Sequence, residues 1–316
     1  MHIRLLISPT TKAAYFRDYK GVVHAEFTEF FPDSPVAIFS ENNLDWLETD
    51  IEEPDFTSLA RLSFVQGIFR KDKAGLRVLS FDPRFSLTNE FVSGNKYQGK
   101  TNETVTQLAI NLALHHNLSK ADRQLSLLDP MAGGGTTLLW GHRYGLETVG
   151  IDINKRALET LHRHVKKYTK IERLRHTKSD GQTGHFTKKG VGKFILYEIS
   201  DKKLKLVCGD SAHSPKLLSH QKFHLLVTDI PYGIQHRAAD GKRSPLDNII
   251  HCTPAWYESL KPGAAIAVIF NSYQPKRAVL IKAFEAAGFK TKEFSSPHRM
   301  SESIVRDIAV FNRPHT

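Results

Sequence analysis

A glycine cluster directly after an acidic residue is the first feature of the chain that could do chemistry. Residues 127–137 read LLDPMAGGGTT, so an apolar strand runs into a glycine-rich turn and then into a helix. Glycines allow a positive φ and let the backbone approach a ligand that side chains would block. A dinucleotide loop would need glycine in place of Leu138, and a P-loop would need a lysine after the glycines. The run fits neither of these phosphate-binding loops.

Two more acids stand where apolar strands end. Asp152 lies in GIDIN (150–154), and Asp210 lies in VCGDS (207–211). Ligands of parallel α/β sheets bind at the carboxyl ends of the strands, and a carboxylate can accept one hydrogen bond on each oxygen from two neighbouring hydroxyls. Either acid alone would more often be a helix N-cap or a loop residue. In this order behind the glycine loop, the two acids favour one shared ligand site.

The glycine loop resembles motif I of the class I methyltransferases, which bind S-adenosylmethionine, in the Asp-Pro-x-x-Gly-x-Gly-Thr form. A second loop, TDIPYG (228–233), resembles the Asp/Asn-Pro-Pro-Tyr/Phe motif of enzymes that methylate exocyclic amines of bases. Ile230 replaces the first proline, as in a variant found among THUMP-containing RNA guanine methyltransferases. Over residues 97–313 the chain is similar to the tRNA and rRNA guanine-N2 methyltransferases, with YQGKTN (97–102) before motif I and RDIAVF (306–311) as the closing strand.

This resemblance implies S-adenosylmethionine as the cofactor and gives individual residues a role. Asp152 corresponds to the acid that binds the ribose hydroxyls and Asp210 to the acid that contacts the adenine amine, while segment 97–102 lies near the methionine end. The cofactor-binding residues expected on this basis are Thr101, Asn102, Asp129, Met131, Gly133, Gly135, Thr136, Asp152, Ile153, Asp210 and Ser211. The catalytic residues expected are Asp229, Pro231 and Tyr232, and no metal is expected.

The chemistry of a base amine explains the residue types of the second loop. Such an amine is a poor nucleophile because its lone pair is delocalised into the ring. The Asp229 carboxylate and a backbone carbonyl of the turn can each accept one N–H, which fixes the nitrogen for attack on an already activated methyl group. Pro231 stiffens the turn, and Tyr232 offers a flat face for an extruded base.

The order of elements predicts where this site is built. After residue 96, apolar strands alternate with helical stretches, which predicts an α/β, Rossmann-like, doubly wound class I methyltransferase sheet with a final antiparallel strand. Residues 96–316 are the predicted methyltransferase domain, with a basic insertion at about 169–203 whose end reads as a hairpin. Residues 1–95 are expected to form a small α+β domain that could dock substrate, with a buried strand at 36–39 and a loop at 48–55.

Charge and composition indicate the kind of partner. The chain of 316 residues carries a formal net charge of +11. Residues 155–193 hold twelve Lys or Arg and three Asp or Glu, a pattern typical of contacts with a phosphate backbone. His298, Arg299 and Arg306 could also touch phosphate or simply lie on the surface. No apolar run is long enough for a signal peptide or a membrane span, so a cytoplasmic protein with an RNA partner, tRNA or rRNA, is expected.

Three functional hypotheses remain open. The first is guanine-N2 methylation of RNA, with tRNA favoured. The second is adenine-N6 methylation of RNA or DNA, which needs the same catalytic loop. The third is a non-catalytic RNA-binding protein that retains the fold. Carbon-5 methylation of pyrimidines is disfavoured because it needs a cysteine nucleophile, and neither Cys208 nor Cys252 lies in the catalytic loop.

Overall fold

The fold was analysed in a computed structural model that describes residues 1–94, 100–120, 124–231, 245–302 and 304–315. The first part of the chain forms strands and helices in the order β1 (His2–Ile7), α1 (Pro9–Tyr15), α2 (Tyr19–Phe30), β2 (Ala37–Glu41), β3 (Leu44–Asp50), α3 (Phe56–Arg61), β4 (Val65–Asp72), β5 (Gly75–Leu79) and α4 (Asn89–Ser93). The predicted domain boundary at residue 95 falls outside the described residues and stays a prediction.

The second part of the chain supplies the larger sheet and its helices. Its elements are α5 (Glu103–His115), β6 (Ser126–Asp129), α6 (Thr136–Arg143), β7 (Glu147–Asp152), α7 (Arg156–Ile171), β8 (His176–Gln182), β9 (Lys193–Ile199), β10 (Lys202–Cys208), α8 (Ser214–Leu217), β11 (Phe223–Asp229), α9 (Pro245–Glu258), β12 (Leu260–Asn271), α10 (Arg277–Ala286), β13 (Lys290–Lys292), β14 (His298–Ser301) and β15 (Ile304–Asn312).

The larger sheet has the predicted doubly wound topology. Its strand order is β13-β15-β12-β11-β6-β7-β10-β9-β8, and β14 also pairs with β15. The strands from β12 to β10 are parallel, and β15 runs antiparallel beside β12. The chain order reverses between β6 and β11, which places a crevice for ligands at the carboxyl ends of these two strands. The predicted Rossmann-like class I methyltransferase fold with a final antiparallel strand is therefore confirmed.

Burial on both faces explains why the central strands are apolar. All four residues of β6 and the first six of β11 are buried, as expected for parallel strands covered by helices. One side chain cluster packs the sheet against α5, α6 and α7. A second cluster packs the opposite face against α9 and α10. Loops, not helices, lie at the carboxyl edge of the sheet, and a site can form there.

The smaller sheet has the order β2-β3-β1-β4-β5 and is antiparallel. Its own apolar cluster includes Ile3 and Leu5 of β1 and Phe27 of α2. Two predictions for this region are wrong. The strand expected to be buried at 36–39 is the edge strand β2, with no fully buried residue, because an edge strand has only one neighbour. The first part of the expected loop at 48–55 belongs to β3, which pairs with β1.

The basic insertion extends the larger sheet. The predicted hairpin is present, with β9 antiparallel to β10 across a turn at Ser200 and Asp201, both of which have positive φ. The insertion also contains β8, which pairs with β9 at the sheet edge and has all seven residues exposed. Among the described residues, no helix combines the length and apolar character needed to cross a bilayer.

Candidate active site

The glycine loop connects the end of β6 to α6. Gly133 and Gly135 have φ of +52° and +90°, a backbone conformation that L side chains rarely adopt. Gly135 is the N-cap residue of α6, and Thr136 begins that helix as a buried residue. A Cβ built on Gly133 would meet no atom within 4 Å, so this part of the loop faces open space at the carboxyl edge. The loop has the backbone that the sequence predicts for a close approach to a ligand.

Asp129, the last residue of β6, supports the glycine loop through the loop's backbone. Its carboxylate is buried and accepts a hydrogen bond from the backbone N–H of Met131 at 3.1 Å. Burial raises the pKa of Asp129 to about 7, although the Met131 bond lowers it. The side chain is thus directed at the loop's own backbone, so Asp129 shapes the loop, and its expected contact with a cofactor stays a prediction.

Asp152 ends β7, and Asp210 lies two residues after the end of the neighbouring parallel strand β10. The two carboxylate oxygens of Asp152 accept the backbone N–H groups of Asn154 at 2.7 Å and of Gly133 at 2.8 Å, so this acid ties its strand to the glycine loop. Asp210 accepts the N–H of Ala212 at 2.9 Å. Both acids therefore also cap local turns, and they lie at the same edge of the sheet.

Two residues beside these acids differ sharply in exposure. The Ile153 side chain is apolar yet 51% exposed, although it directly follows Asp152. Ser211, which follows Asp210, is buried. An exposed apolar surface next to a polar edge suits the flat face of a heterocycle, because one side of such a ring is shielded from water while its edge keeps hydrogen bonds.

Asp229, at the end of β11, has two oxygens in different surroundings. Oδ2 accepts the hydroxyl of Thr101 at 2.8 Å and lies 3.2 Å from Nη2 of Arg306. Oδ1 is buried and has no hydrogen-bond partner among the described residues. Burial raises the pKa of Asp229, while Arg306 and the Thr101 hydroxyl lower it. The carboxylate is held by one oxygen and can accept a donor on the other.

Thr101 and Asn102, in the segment before α5, make different contacts. Asn102 is the N-cap of α5, and its side chain accepts the N–H groups of Thr104 and Val105. Thr101 instead reaches Asp229. The sequence places both residues at the cofactor, whereas the side chain of Thr101 contacts the residue expected to be catalytic.

Arg306 is the site residue whose role the sequence does not reveal. It lies opposite Asn271 of β12, and Asp229 lies opposite Ile269 on the other edge of that strand, so the long Arg306 side chain reaches across the carboxyl end of β12. The expectation that Arg306 and His298 lie on the surface or touch phosphate is wrong, since both are buried. The sequence contained one signal for this role, the predicted final antiparallel strand. Because this strand lies beside β12, it brings residue 306 level with the loop that carries Asp229.

The loop at 228–233, which the sequence predicts to be catalytic, is described only as far as residue 231. Ile230 is buried and donates its N–H to the carbonyl of Ile269 at 2.8 Å. Pro231 is half-buried, and its expected role in stiffening the turn stays a prediction. Tyr232, the third expected catalytic residue, lies outside the described residues.

The insertion returns to the same edge of the sheet between β8 and β9. Gly192 donates its N–H to the carbonyl of Cys208, the last residue of β10, at 2.7 Å. Lys155, just before α7, donates to the carbonyl of Lys189 at 2.9 Å. The segment 183–192 therefore lies beside the loops that carry Asp152 and Asp210, and brings Lys188 and Lys189 with it as exposed side chains.

Comparisons with known proteins identify no family for this chain. No family model matches the chain, and no curated protein matches it. Among solved structures, TrmN from Thermus thermophilus is similar with 13% identity and a TM-score of 0.45, covering 89% of this chain and 60% of that chain. This chain thus spans less than two-thirds of the length of TrmN.

Two further solved structures match smaller shares of this chain. A methyltransferase from Pyrococcus furiosus has 10% identity and a TM-score of 0.41, covering 69% of this chain and 88% of that chain. An rRNA methylase from Streptococcus thermophilus has 10% identity and a TM-score of 0.37, covering 61% of this chain and 89% of that chain. The assignment of the fold rests on the strand order described above, and the function is inferred from the site itself.

Proposed function

We propose that this protein is an S-adenosylmethionine-dependent methyltransferase that acts on an exocyclic base amine in RNA, with guanine N2 of tRNA as the favoured target. The observation that carries the proposal is the environment of Asp229. A carboxylate with one oxygen fixed and the other buried and able to accept a donor stands at the switch point of a doubly wound sheet, on the strand next to the one that leads into the glycine loop.

The residues at the carboxyl edge fit the proposed cofactor. Gly133 leaves open space where any other residue would place a side chain. Asp152 and Asp210 each retain acceptor capacity beyond the backbone N–H groups that they bind, because every carboxylate oxygen has two lone pairs. The exposed side chain of Ile153 would cover one face of the adenine. When bound, S-adenosylmethionine supplies a methyl group on a positively charged sulfur, an electrophile that needs no further activation.

Catalysis then depends on how the amine is held. We infer that Oδ1 of Asp229 accepts one N–H of the base, while the rigid turn at Ile230 and Pro231 supplies a backbone carbonyl for the other. Both contacts hold the nitrogen and favour a tetrahedral arrangement with its lone pair available, so positioning accounts for much of the rate. Arg306 favours the ionised form of Asp229 and so counteracts the effect of burial on its pKa, which favours acceptance of a hydrogen bond or a proton.

The charge distribution supports a polyanionic substrate. All twelve Lys and Arg residues between positions 155 and 193 are exposed. Four of them, Arg156, Arg163, Lys167 and Lys170, recur at helical spacing and share one face of α7, along about 21 Å of helix. Contacts of this kind with phosphates provide affinity without sequence specificity. We infer that this face, called the α7 stripe below, binds the RNA backbone.

Binding and product analysis together test the proposal. Calorimetry of the folded protein should show binding of S-adenosylmethionine and of S-adenosylhomocysteine. Incubation with tritiated cofactor and bulk tRNA, rRNA or DNA, followed by nucleoside analysis, should give N2-methylguanosine in tRNA. Label in N6-methyladenine would establish the second hypothesis instead. A folded protein that binds neither cofactor form would contradict the proposal and leave the non-catalytic RNA-binding protein.

Two variants separate cofactor binding from chemistry. Asp152→Ala should weaken cofactor binding at least tenfold, because it removes both the acceptor for the ribose and the partner of the Gly133 amide. Asp229→Ala should leave the Kd for the cofactor within about threefold and reduce kcat at least a hundredfold, in the range seen when a positioned acid or base is removed. Circular dichroism serves as the control for folding. An Asp229→Ala protein as active as its parent would exclude the proposed chemistry.

A further inference from the structure

A cluster of metal-ligand side chains lies where the end of α2 meets the end of α5. It consists of Glu29, His115 and His116, and each residue offers one ligand atom that lies within 4.8 Å of the other two. Glu29 belongs to the last turn of α2, while His115 ends α5 and His116 is its C-cap residue. The cluster therefore joins a helix of the N-terminal sheet region to a helix that packs on the larger sheet.

The contact between His116 and Glu29 is close but is not a hydrogen bond. Nε2 of His116 lies 2.9 Å from Oε1 of Glu29. This nitrogen is buried and has no hydrogen-bond partner in the part of the chain that the structure describes. If the ring N–H of His116 pointed at the Glu29 carboxylate, the contact would satisfy the angular criteria for a hydrogen bond, and it does not. The two ligand atoms thus converge without bonding to each other, which is the arrangement that a shared cation requires.

The surrounding contacts hold His116 in place and leave His115 room to move. The N–H of His116 donates to the carbonyl of Leu112, and its carbonyl accepts Nδ2 of Asn312 at 2.7 Å. The ring of His115 lies 4.6 Å from the ring of Phe30 and is nearly perpendicular to the ring of His116. His115 is exposed, so its side chain can rotate toward the other two ligands.

We propose that Glu29, His115 and His116 bind a zinc ion that fastens α2 to α5. Two imidazoles and one carboxylate, with water in the fourth position, form a ligand set that zinc adopts in proteins. Calcium and magnesium are disfavoured because they prefer oxygen ligands. Tetrahedral bonds of about 2.0–2.1 Å place the ligand atoms about 3.3 Å apart, so a modest rotation of His115 completes the site. This inference departs from the sequence expectation of no metal and does not depend on the proposed methylation.

Lys292 of β13 is the nearby charge that opposes a metal ion. It acts electrostatically on both Glu29 and His116, so its ammonium group competes with a cation for the same carboxylate. Lys292→Met should therefore bind zinc more tightly than the parent.

Calorimetric titration of chelator-treated, full-length protein with zinc chloride tests the proposal. The parent should bind one zinc ion per chain, and both Glu29→Gln and His115→Ala should bind it at least tenfold more weakly. His24→Ala is the matched control and should bind zinc like the parent. His24 is an exposed histidine on α2, the helix of Glu29, and lies outside the cluster. Zinc at a hundred times the parent's Kd should raise the melting temperature of the parent by several degrees, and that of Glu29→Gln by at most about half as much.

Two results would overturn this site. One is a folded parent protein that takes up no zinc. The other is zinc uptake that persists undiminished in Glu29→Gln and His115→Ala, since the ion would then bind elsewhere. Melting temperatures of the metal-free variants close to that of the metal-free parent exclude misfolding as the cause of weakened binding.

Discussion

At the scale of single residues, the position of Asp229 explains why a buried carboxylate remains useful. Burial disfavours its charged form and raises its pKa. Arg306 offsets this cost with a charge only 3.2 Å away and is itself buried. Thr101 occupies the same oxygen. The result is a carboxylate that is oriented through one oxygen, so the second oxygen can meet a substrate in a fixed position.

Arg306→Met is expected to reduce kcat at least tenfold while leaving the Kd for S-adenosylmethionine within about threefold. Because Arg306 lowers the pKa of Asp229, its loss raises that pKa, and the acid limb of the pH–kcat profile moves to higher pH. Arg306→Lys should restore part of the activity and move the limb back. A Met variant with an unchanged profile would show that Arg306 does not act through Asp229.

Thr101→Val separates two roles for the segment before α5. The structure predicts that loss of the hydroxyl releases Oδ2 of Asp229 and reduces kcat by about tenfold, the range for removal of one hydrogen bond to a charged group. Thr101→Ser keeps the hydroxyl and should retain activity. If Thr101 binds the cofactor, as the sequence alone implies, Thr101→Val would instead weaken cofactor binding and spare kcat. Calorimetry and steady-state kinetics on the same preparations distinguish the two.

At the scale of elements, α7 has one face buried against the sheet and one basic face exposed to solvent. Leu161, Val165 and Tyr168 are buried against the sheet, which fixes the rotation of the helix. The α7 stripe consequently points to solvent. The helix begins immediately after β7, so its first turn lies near Asp152 and the stripe leads away from the cofactor edge. Packing on one face thus presents a basic track that starts beside the candidate active site.

Reversing three charges of the α7 stripe should weaken RNA binding. The variant Arg163→Glu, Lys167→Glu, Lys170→Glu is expected to bind tRNA at least tenfold more weakly in filter binding. A plot of the logarithm of its tRNA association constant against the logarithm of the salt concentration should have a shallower slope, by about 0.7–0.9 for each phosphate that the variant no longer neutralises. Cofactor binding should not change, since these residues lie outside the pocket.

A control variant with the same change in net charge makes this test specific. Lys20, Lys73 and Lys282 are exposed and lie on other parts of the chain, and changing all three to Glu should weaken tRNA binding much less. Equally weakened binding in both triple variants would mean that total charge, not the α7 stripe, determines affinity.

At the scale of the whole molecule, a buried polar network joins α2 to the helices of the larger sheet. The Glu26 carboxylate accepts the N–H and hydroxyl of Ser63 and Nδ2 of Asn111. Asn111 of α5 in turn accepts the hydroxyl of Tyr144 at 2.6 Å. Burial raises the pKa of Glu26 to about 7, despite the hydrogen bonds that lower it. The protein therefore folds with a proton on Glu26 over a pH range in which the unfolded chain releases it.

This linkage predicts a pH dependence of stability with a definite sign. The pKa of Glu26 rises from 4.5 in the unfolded chain to about 7 in the fold, so its contribution is fully present below pH 4.5 and is lost as pH rises to about 7. Glu26→Gln can keep the hydrogen bonds without the charge. In urea unfolding it should match the parent at about pH 4 and exceed it at about pH 8 by on the order of 1–3 kcal/mol.

The difference between the two proteins isolates Glu26. Asp129 also has its pKa raised to about 7 by burial and contributes the same sign, but it is present in both proteins and cancels. Parallel pH profiles for the parent and Glu26→Gln would contradict the assignment of the proton to Glu26.

The sequence by itself determined the doubly wound sheet, the loop between β6 and α6, and the hairpin of β9 and β10. These features depend on neighbours in the chain: alternation of apolar strands with helices, glycines where φ is positive, and turn residues between strands. The roles expected of Asp152, Asp210 and Asp229 rest on the same local order, and the structure places all three at the carboxyl edge of one sheet.

Only the tertiary structure decided the partners that come from distant segments. Arg306 meets Asp229 because β15 inserts beside β12, Thr101 meets it because α5 packs on the sheet, and Glu29 meets His116 because two helices end together. Each pair is separated by many residues, and a side chain's sequence neighbours carry no information on which strand or helix will lie against it. Whether a charged residue is buried, as Arg306 is, follows from the assembled layers and not from the local pattern.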